Sequence, residues 1–170
     1  MRYDLAALRD WLVQRLYEHT RVPVVPQNSP GPRPPYPFHA YTVTSPYIVT
    51  SQQPAAMVRE DIEIDETAWI KYMRYDLPTV VISFSTYSDK MVECWMENEL
   101  LRSWFVVDGC QDLADEDIVV TEIGAVQDRS TVMADIEQEY RVGFDVRLRL
   151  VEERSRTIEP IEQVEWRRVE

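Results

Sequence analysis

The residue types that carry catalysis or bind metals are few and scattered in this sequence. Its two histidines, His19 and His39, stand apart from the two cysteines, Cys94 and Cys110. No cluster of His, Cys, Asp and Glu has the spacing of a zinc site or of a facial triad. There is no GxSxG nucleophile elbow, and the four glycines form no phosphate-binding loop. We therefore expect no catalytic residue, no metal and no cofactor.

Carboxylates are the one chemically active residue type present in excess. The chain holds 30 Asp and Glu against 18 Lys and Arg. Between Glu60 and Glu66, an extended chain places Asp61, Glu63 and Asp65 on one face, where they could gather divalent cations. The alternative, which we favour, is a solvated strand edge whose like charges prevent edge-to-edge aggregation.

Charge and composition limit the classes of protein to consider. The net charge is −12, with residues 1–37 at +2 and the rest at −14. Proteins that grip DNA need a basic surface, so this mode of binding is not expected. The first residues do not form a signal peptide, and no apolar run reaches membrane-spanning length. We expect a soluble protein without a disulfide framework, and one domain over residues 1–170.

The elements that position these residues are organised around one strand. From Tyr140 to Val151, apolar and polar residues alternate five times, which is typical of a half-buried strand that needs neighbours and a covering layer. A helix from about Ser88 to Phe105 is predicted to cover the strand through an apolar stripe made of Val92, Trp95, Met96, Leu100 and Trp104. Ile118 to Val126 is the predicted partner strand, across a polar turn at Gln127–Thr131.

The remaining chain completes the predicted fold. Residues 1–20 contain an amphipathic helix, residues 21–37 form a proline-rich tether, and residues 38–170 hold the sheet and the central helix. Seven prolines between Pro23 and Pro37 exclude helix and central strand; the segment is either a linker or an arm that lies on a neighbouring molecule. The fold class is α+β: a mainly antiparallel sheet of four to five strands under two helices.

Smaller segments complete this scheme. Strands are predicted at Phe38–Ser51, interrupted at Pro46, and at Leu77–Thr86, with an acidic loop over 108–117 and a short last strand over 158–169. Met57–Tyr75 is predicted to be an exposed connection or hairpin. Its aromatic residues are either core or anchors of a protein interface.

Three stretches carry a resemblance to a known family. They are PPYPFHAYTVTSPY, the TYSD that leads from a strand into a helix, and VQDRSTVMADIEQEYRVGFDVRLRL. In these stretches and in the order of its elements, the chain resembles the phage neck or tail terminator proteins, the tail-completion family of tailed bacteriophages. The motifs are structural, and no active site comes with them.

The resemblance implies a structural virion protein without enzymatic activity. Such a subunit would form a ring, usually a homohexamer, that caps the tail tube, ends its polymerisation and joins the tail to the head connector. Its partners would be other copies of itself, the tail tube protein and the head-connector or stopper protein. It would assemble in the host cytoplasm and lie at the neck of the virion, where DNA crosses the lumen without specific binding.

A ring subunit needs interfaces, and the sequence offers candidates in the tether, the aromatic segment, the QDRS turn and the polar face of the main strand. The candidate residues are Arg33, Tyr36, Trp69, Tyr72, Gln127, Asp128, Arg129, Asp145, Arg147 and Arg149. Two alternatives remain: a head-completion or stopper protein of the neck, and a small metal-dependent enzyme that uses the acidic run.

Overall fold

A computed structural model describes residues 3–28, 30–49, 56–64, 67–130 and 139–159. The helices are α1 (Leu5–Thr20), α2 (Met91–Ser103) and α3 (Cys110–Asp115), with a π-helical turn at Trp104–Asp108 between the last two. The strands are β1 (Val24–Pro26), β2 (Phe38–Ile48), β3 (Ala56–Ile64), β4 (Thr67–Asp76), β5 (Thr79–Ser88), β6 (Val119–Ile123), β7 (Gln127–Asp128), β8 (Tyr140–Arg149) and β9 (Glu152–Ile158). Two compact units result, Met1–Thr50 with Leu77–Val151, and Ser51–Asp76 with Glu152–Glu170.

The first unit is built on a sheet with the strand order β1-β2-β5-β8-β6, and β7 also pairs with β8. Its centre is the antiparallel pair of β5 and β8, in which Phe84 lies opposite Phe144 and Ile82 opposite Val146. These four side chains are buried. The predicted alternation of β8 and its pairing with the strand after Ile118 are therefore confirmed. Within β2, the register shifts between Val43 and Ser45 and again between Ser45 and Ile48, and the second shift spans Pro46, where an interruption is predicted.

Helix α1 covers one face of this sheet. It begins after Asp4, whose carboxylate accepts hydrogen bonds from the backbone N–H groups of Ala6 and Ala7 at 2.9 and 3.1 Å. Such a cap satisfies amides that the helix itself leaves unpaired. The predicted amphipathic helix is confirmed, since Leu8, Leu12 and Leu16 are buried in the main core and Leu5 packs against it partly buried.

Helix α2 also packs on the sheet, but the face predicted for it is wrong. Its buried residues are Cys94, Asn98 and Leu101, followed by Trp104 and Phe105 of the π-helical turn. The Cys94 thiol and the Asn98 amide bond to backbone carbonyls of the sheet, which the larger apolar side chains cannot do. Of the predicted stripe, only Trp104 is buried. The side chains on the opposite side form what we call the outer stripe: Met91, Val92, Trp95, Met96 and Leu100, which are 38–67% exposed.

A buried polar cluster joins α2 to the sheet. The Asn98 side-chain amide donates to Thr86 Oγ1 at 3.1 Å and to the Val142 carbonyl at 3.2 Å. Thr86 Oγ1 lies 2.9 Å from His39 Nδ1. His39 is 0% exposed, and its burial lowers the pKa of the imidazole to about 3. The ring is therefore neutral in the folded protein, because no opposite charge compensates for its removal from water.

The second unit contains an antiparallel sheet with the strand order β3-β4-β9. Of the two alternatives predicted for Met57–Tyr75, a partly exposed connection or a hairpin, the pairing of β3 with β4 shows the hairpin. The acidic run lies on β3, which is an edge strand, and its residues Glu60, Asp61 and Glu63 are exposed. Asp65 lies outside the described residues. None of the described side chains of this sheet is buried.

The fold class is confirmed as α+β with mainly antiparallel sheets. The predicted number of four to five strands is wrong, because nine strands in two sheets are present in the described residues alone. The segment 108–117, predicted as a loop, includes the short helix α3. Of the predicted last strand, only Ile158 falls on β9, and positions 160–169 lie outside the described residues. That residues 1–170 form a single domain stays a prediction.

Candidate subunit interface

The face of the main sheet opposite the helices carries a network centred on Arg129. The guanidinium Nη1 donates to Ser83 Oγ at 2.8 Å and lies 3.4 Å from Ser85 Oγ. Its Nη2 donates to Asp145 Oδ1 at 3.0 Å. Burial opposes the ionisation of Asp145, but its interactions with Ser83 and Arg129 prevail and lower the pKa of that carboxyl. The loop after β7 is thereby attached to both central strands.

The Arg129 side chain can lie close to β8 because this strand carries a glycine, Gly143. Gly143 lies on β8 opposite Ser85 on one side and Gln127 on the other. A methyl group on Gly143 would overlap the Phe84 carbonyl oxygen and lie 3.0 Å from Arg129 Nη1. Glycine therefore makes room for the arginine side chain above the strand.

A second network on this unit joins the proline-rich segment to the sheet. Glu139 Oε1 accepts hydrogen bonds from Arg33 Nη1 at 2.7 Å and from the Tyr36 hydroxyl at 2.6 Å. Burial, together with the Glu139 carboxylate, raises the pKa of Tyr36 to about 12. The Tyr36 ring stacks on Phe38 at 5.7 Å between centroids, and Phe38 stacks on Tyr87 at 4.8 Å. This part of the predicted tether thus lies on the protein's own sheet.

Arginines extend the aromatic stack. The guanidinium carbon of Arg141 lies 5.3 Å from the centroid of the Tyr87 ring, and that of Arg33 lies 6.0 Å from it. Arg141 also donates to Ser85 Oγ at 3.3 Å, which connects the stack to the Arg129 network. The stack and the Arg129 network therefore form one continuous surface of charged and aromatic side chains.

The other residues of this unit that were predicted as interface residues are exposed to solvent or form contacts within the chain. Gln127 and Asp128 pair with β8 through their backbones, and both side chains are exposed. Arg147 forms an ion pair of 3.0 Å with Glu122, and both side chains are more than half exposed. Arg149 has a buried Nε that makes no hydrogen bond in the described part of the chain. The polar face of β8 is thus largely paired within the chain.

Trp69 and Tyr72 lie on the second unit and on opposite faces of β4, because their positions differ by three, an odd number. Trp69 lies opposite Ile62. Tyr72 is flanked by Arg59 and Arg156 on the neighbouring strands. Both aromatic side chains are partly exposed.

The structure reveals contact residues that the sequence analysis missed. Glu139 and Arg141 hold the stack and the Arg129 network together, yet nothing in their spacing marks them. The wrong face of α2 was predicted to be buried because its larger apolar residues and its buried residues Cys94, Asn98 and Leu101 recur at similar spacing. The small residues Cys94 and Asn98 are the feature of the sequence that could have identified the buried face of α2. Such residues allow a helix to lie close to a strand and to form hydrogen bonds with it.

The described residues offer no constellation for catalysis. A groove of about 580 Å³ lies beside β6 and is lined mainly by apolar side chains, with Cys110 and Glu122 but no histidine among the described residues that line it. No three His, Cys, Asp or Glu residues in the described ranges are grouped as metal ligands. In the same ranges, no helix is both long enough and apolar enough to cross a membrane.

Comparison with known proteins identifies the family. A family model described as phage neck terminator protein matches residues 5–169 of the 170. No curated protein matches the sequence significantly. The family match covers both units, the continuous charged and aromatic surface and the second sheet. The chain therefore belongs to the phage neck terminator proteins, which are structural components of the virion neck.

Proposed function

We propose that six copies of this chain form a ring on the head-proximal end of the phage tail tube. The ring ends polymerisation of the tube and supplies the surface to which the head connector, or its stopper protein, binds. DNA passes through the lumen without specific binding. The observation that carries the proposal is the match of the neck terminator family over residues 5–169.

The distribution of charge supports the passage of DNA. Residues 38–170 carry a net charge of −14. Carboxylates that lined the lumen would repel the phosphates and so prevent the ring from gripping the DNA. Among the described residues, the carboxylates of Asp128, Asp115 and Glu60 are exposed to solvent.

The surfaces described above support assembly. The predicted interface residues Arg33 and Tyr36 are held in place by Glu139, while the Arg33 side chain remains 61% exposed. An arginine and a tyrosine that are fixed before binding lose little conformational entropy when a partner docks. Gln127 and Asp128, beside Arg129, add exposed polar groups of the kind that form the rim of an interface.

Electron microscopy of tail tubes mixed with the purified protein tests the proposal. We expect a ring at one end of each tube, the end that faces the head, and no further growth when tube subunits are added. A tube protein incubated alone should continue to elongate.

The same experiment separates the proposal from its nearest alternative. A head-completion or stopper protein would bind only to heads that carry a connector and would leave bare tubes uncapped. That outcome would overturn the proposed capping function.

A further inference from the structure

The connection between β1 and β2 contains more chain than its two ends require. Strand β1 pairs in parallel with the start of β2, and the Gln27 N–H donates to the Tyr41 carbonyl at 2.9 Å. This register places Gln27 and Phe38 about 14 Å apart. In a polyproline-like path of about 3.1 Å per residue, the chain between them could span about 34 Å. With this excess of length, the middle of the connection could extend about 15 Å from the sheet.

The backbone of this connection contributes little to holding it on the sheet. We call residues 30–37 the strap. Five of its eight residues are prolines, which have no N–H group to donate. Among the described residues, no backbone–backbone hydrogen bond joins the strap to another segment. The position of the strap therefore depends on its side chains.

Within the described ranges, the side chains of the strap form hydrogen bonds with one group, the Glu139 carboxylate. Its Oε1 accepts from Arg33 Nη1 at 2.7 Å and from the Tyr36 hydroxyl at 2.6 Å. The Glu139 side chain is 15% exposed, so both hydrogen bonds are largely protected from water. Hydrogen bonds to a charged acceptor are roughly twice as strong as those between neutral groups. One carboxylate thus fixes the strap at two points.

Packing beneath the strap is incomplete. At one end, the Tyr36 ring stacks on Phe38 at 5.7 Å between centroids. Farther along, a cavity of about 90 Å³ lies between residues 31–34 and the sheet residues Phe38, Ala40 and Tyr87. Protein interiors contain few voids larger than one water molecule, so this part of the strap is not held by close packing. The Glu139 hydrogen bonds and one ring stack are what keep the strap on the sheet.

We infer that the strap is a releasable element with two positions, and that Glu139 selects between them. With both hydrogen bonds formed, the strap lies on the main sheet. With both lost, the connection extends from the sheet and uncovers Phe38 and the cavity. The two positions do not depend on the proposed ring. The held position presents Arg33 and Tyr36 as the proposed interface requires, and this connection alone rests on the proposed function.

The distance between nitroxide labels on the strap and on α1 tests the two positions. Every protein carries Cys110→Ser and two labelled sites, Pro32→Cys on the strap and Gln14→Cys, which is exposed on α1. Cys94 is retained, since burial raises the pKa of its thiol to about 11 and keeps it neutral and unreactive. Double electron–electron resonance is then recorded with and without Glu139→Ala.

We expect a narrow distance distribution in the protein that retains Glu139. Glu139→Ala should make it at least twofold broader and add distances that differ from the original maximum by up to about 15 Å, since both hydrogen bonds are lost. Tyr36→Phe, which removes one of the two, should give an intermediate width. Glu122→Ala is the matched control. It removes an exposed carboxylate that pairs with Arg147 instead of the strap, so the distribution should stay narrow.

A distribution as narrow in Glu139→Ala as in its parent, in a protein that still unfolds cooperatively, would overturn the inference, because the ring stack would then be sufficient. A broad distribution in the parent would overturn it as well, because neither position would be selected. If Glu139→Ala does not fold, Arg33→Met combined with Tyr36→Phe takes its place, since both hydrogen bonds are lost while the carboxylate is kept. Ring formation is tested separately on tail tubes, so failure of the two-position strap leaves the proposed function standing.

Discussion

At the scale of single residues, Arg129 connects a surface loop to the two central strands. It does so through three hydroxyl or carboxylate groups, Ser83, Ser85 and Asp145, at 2.8–3.4 Å. Its side chain is only 21% exposed, so these hydrogen bonds are largely protected from water. Arginine suits this position because its planar fork can reach several acceptors at once.

Replacing Arg129 with glutamine should lower the free energy of unfolding by about 1.5–3 kcal/mol, since the hydrogen bonds of a charged group to Ser83, Ser85 and Asp145 are lost. Arg147→Gln is the matched control on the neighbouring strand. Its ion pair with Glu122 is more than half exposed, so the loss should be below about 1 kcal/mol. Urea denaturation measures both. Equal losses would show that the Arg129 network does not stabilise the fold.

His39 makes the stability of the protein sensitive to acid. Its pKa is about 3 in the folded protein, against about 6.5 in an unfolded chain. Between these values the unfolded state binds the proton and the folded state does not, so the stability decreases as the pH falls below about 6.5. The slope contributed by one such group is at most about 1.4 kcal/mol per pH unit.

This slope can be measured by urea denaturation between pH 5 and pH 7, above the range in which most carboxylates titrate. His39→Gln should remove most of it, because glutamine binds no proton. An unchanged slope in His39→Gln would assign the acid sensitivity to other groups.

At the scale of elements, α2 determines how the helical layer meets the sheet. Its buried face is small and partly polar, and it brings the Asn98 amide to Thr86 and to the Val142 carbonyl. The larger apolar residues point away from the sheet and form the outer stripe. The orientation of the helix therefore satisfies polar groups of its own sheet and leaves the larger apolar side chains exposed.

Two adjacent leucines of α2 test this orientation. Leu101 is 0% exposed and Leu100 is 38% exposed. Leu101→Ala should lower the free energy of unfolding by about 2–5 kcal/mol, because it leaves a cavity in the core. Leu100→Ala should cost less than about 1 kcal/mol in the isolated protein. Thermal or urea denaturation would show the reverse order if the originally predicted face covered the sheet.

At the scale of the whole molecule, the chain consists of one unit with a well-packed core and one whose described residues are all at least partly exposed. The first unit should fold by itself, because its core clusters consist entirely of its own residues. Strands β2 and β5 are paired from Phe38 and Tyr87 to Ile48 and Thr79. Their near ends can therefore be joined by a short turn.

Replacing residues 51–76 with a two-residue turn and ending the chain at Val151 should leave a protein that unfolds cooperatively. Circular dichroism during urea denaturation would test this. Deletion of residues 1–20 is the control, since it removes Leu8, Leu12 and Leu16 from the core and should abolish cooperative unfolding. If the shortened protein does not fold, the main sheet depends on the second unit.

The predictions that succeeded rest on regular spacing along a single element. The alternation in β8 and the leucines of α1 were readable because burial on one face imposes a period of two on a strand and of 3.6 on a helix. The pairing of β8 with the strand after Ile118 was predicted because that strand was the one expected immediately before β8 in the chain. The acidic run on β3 was correctly interpreted as a strand edge, because like charges on an edge strand prevent edge-to-edge aggregation.

What the sequence alone determined is therefore the α+β class, the central strand and the family, whose motifs lie along the chain. Tertiary structure alone decided which face of α2 is buried, because two stripes of the same period compete and the hydrogen-bonding needs of another element select between them. It also decided that Glu139 holds Arg33 and Tyr36, more than a hundred residues away in sequence. Contacts of this kind leave no periodic trace, since each depends on the approach of two segments that the fold alone brings together.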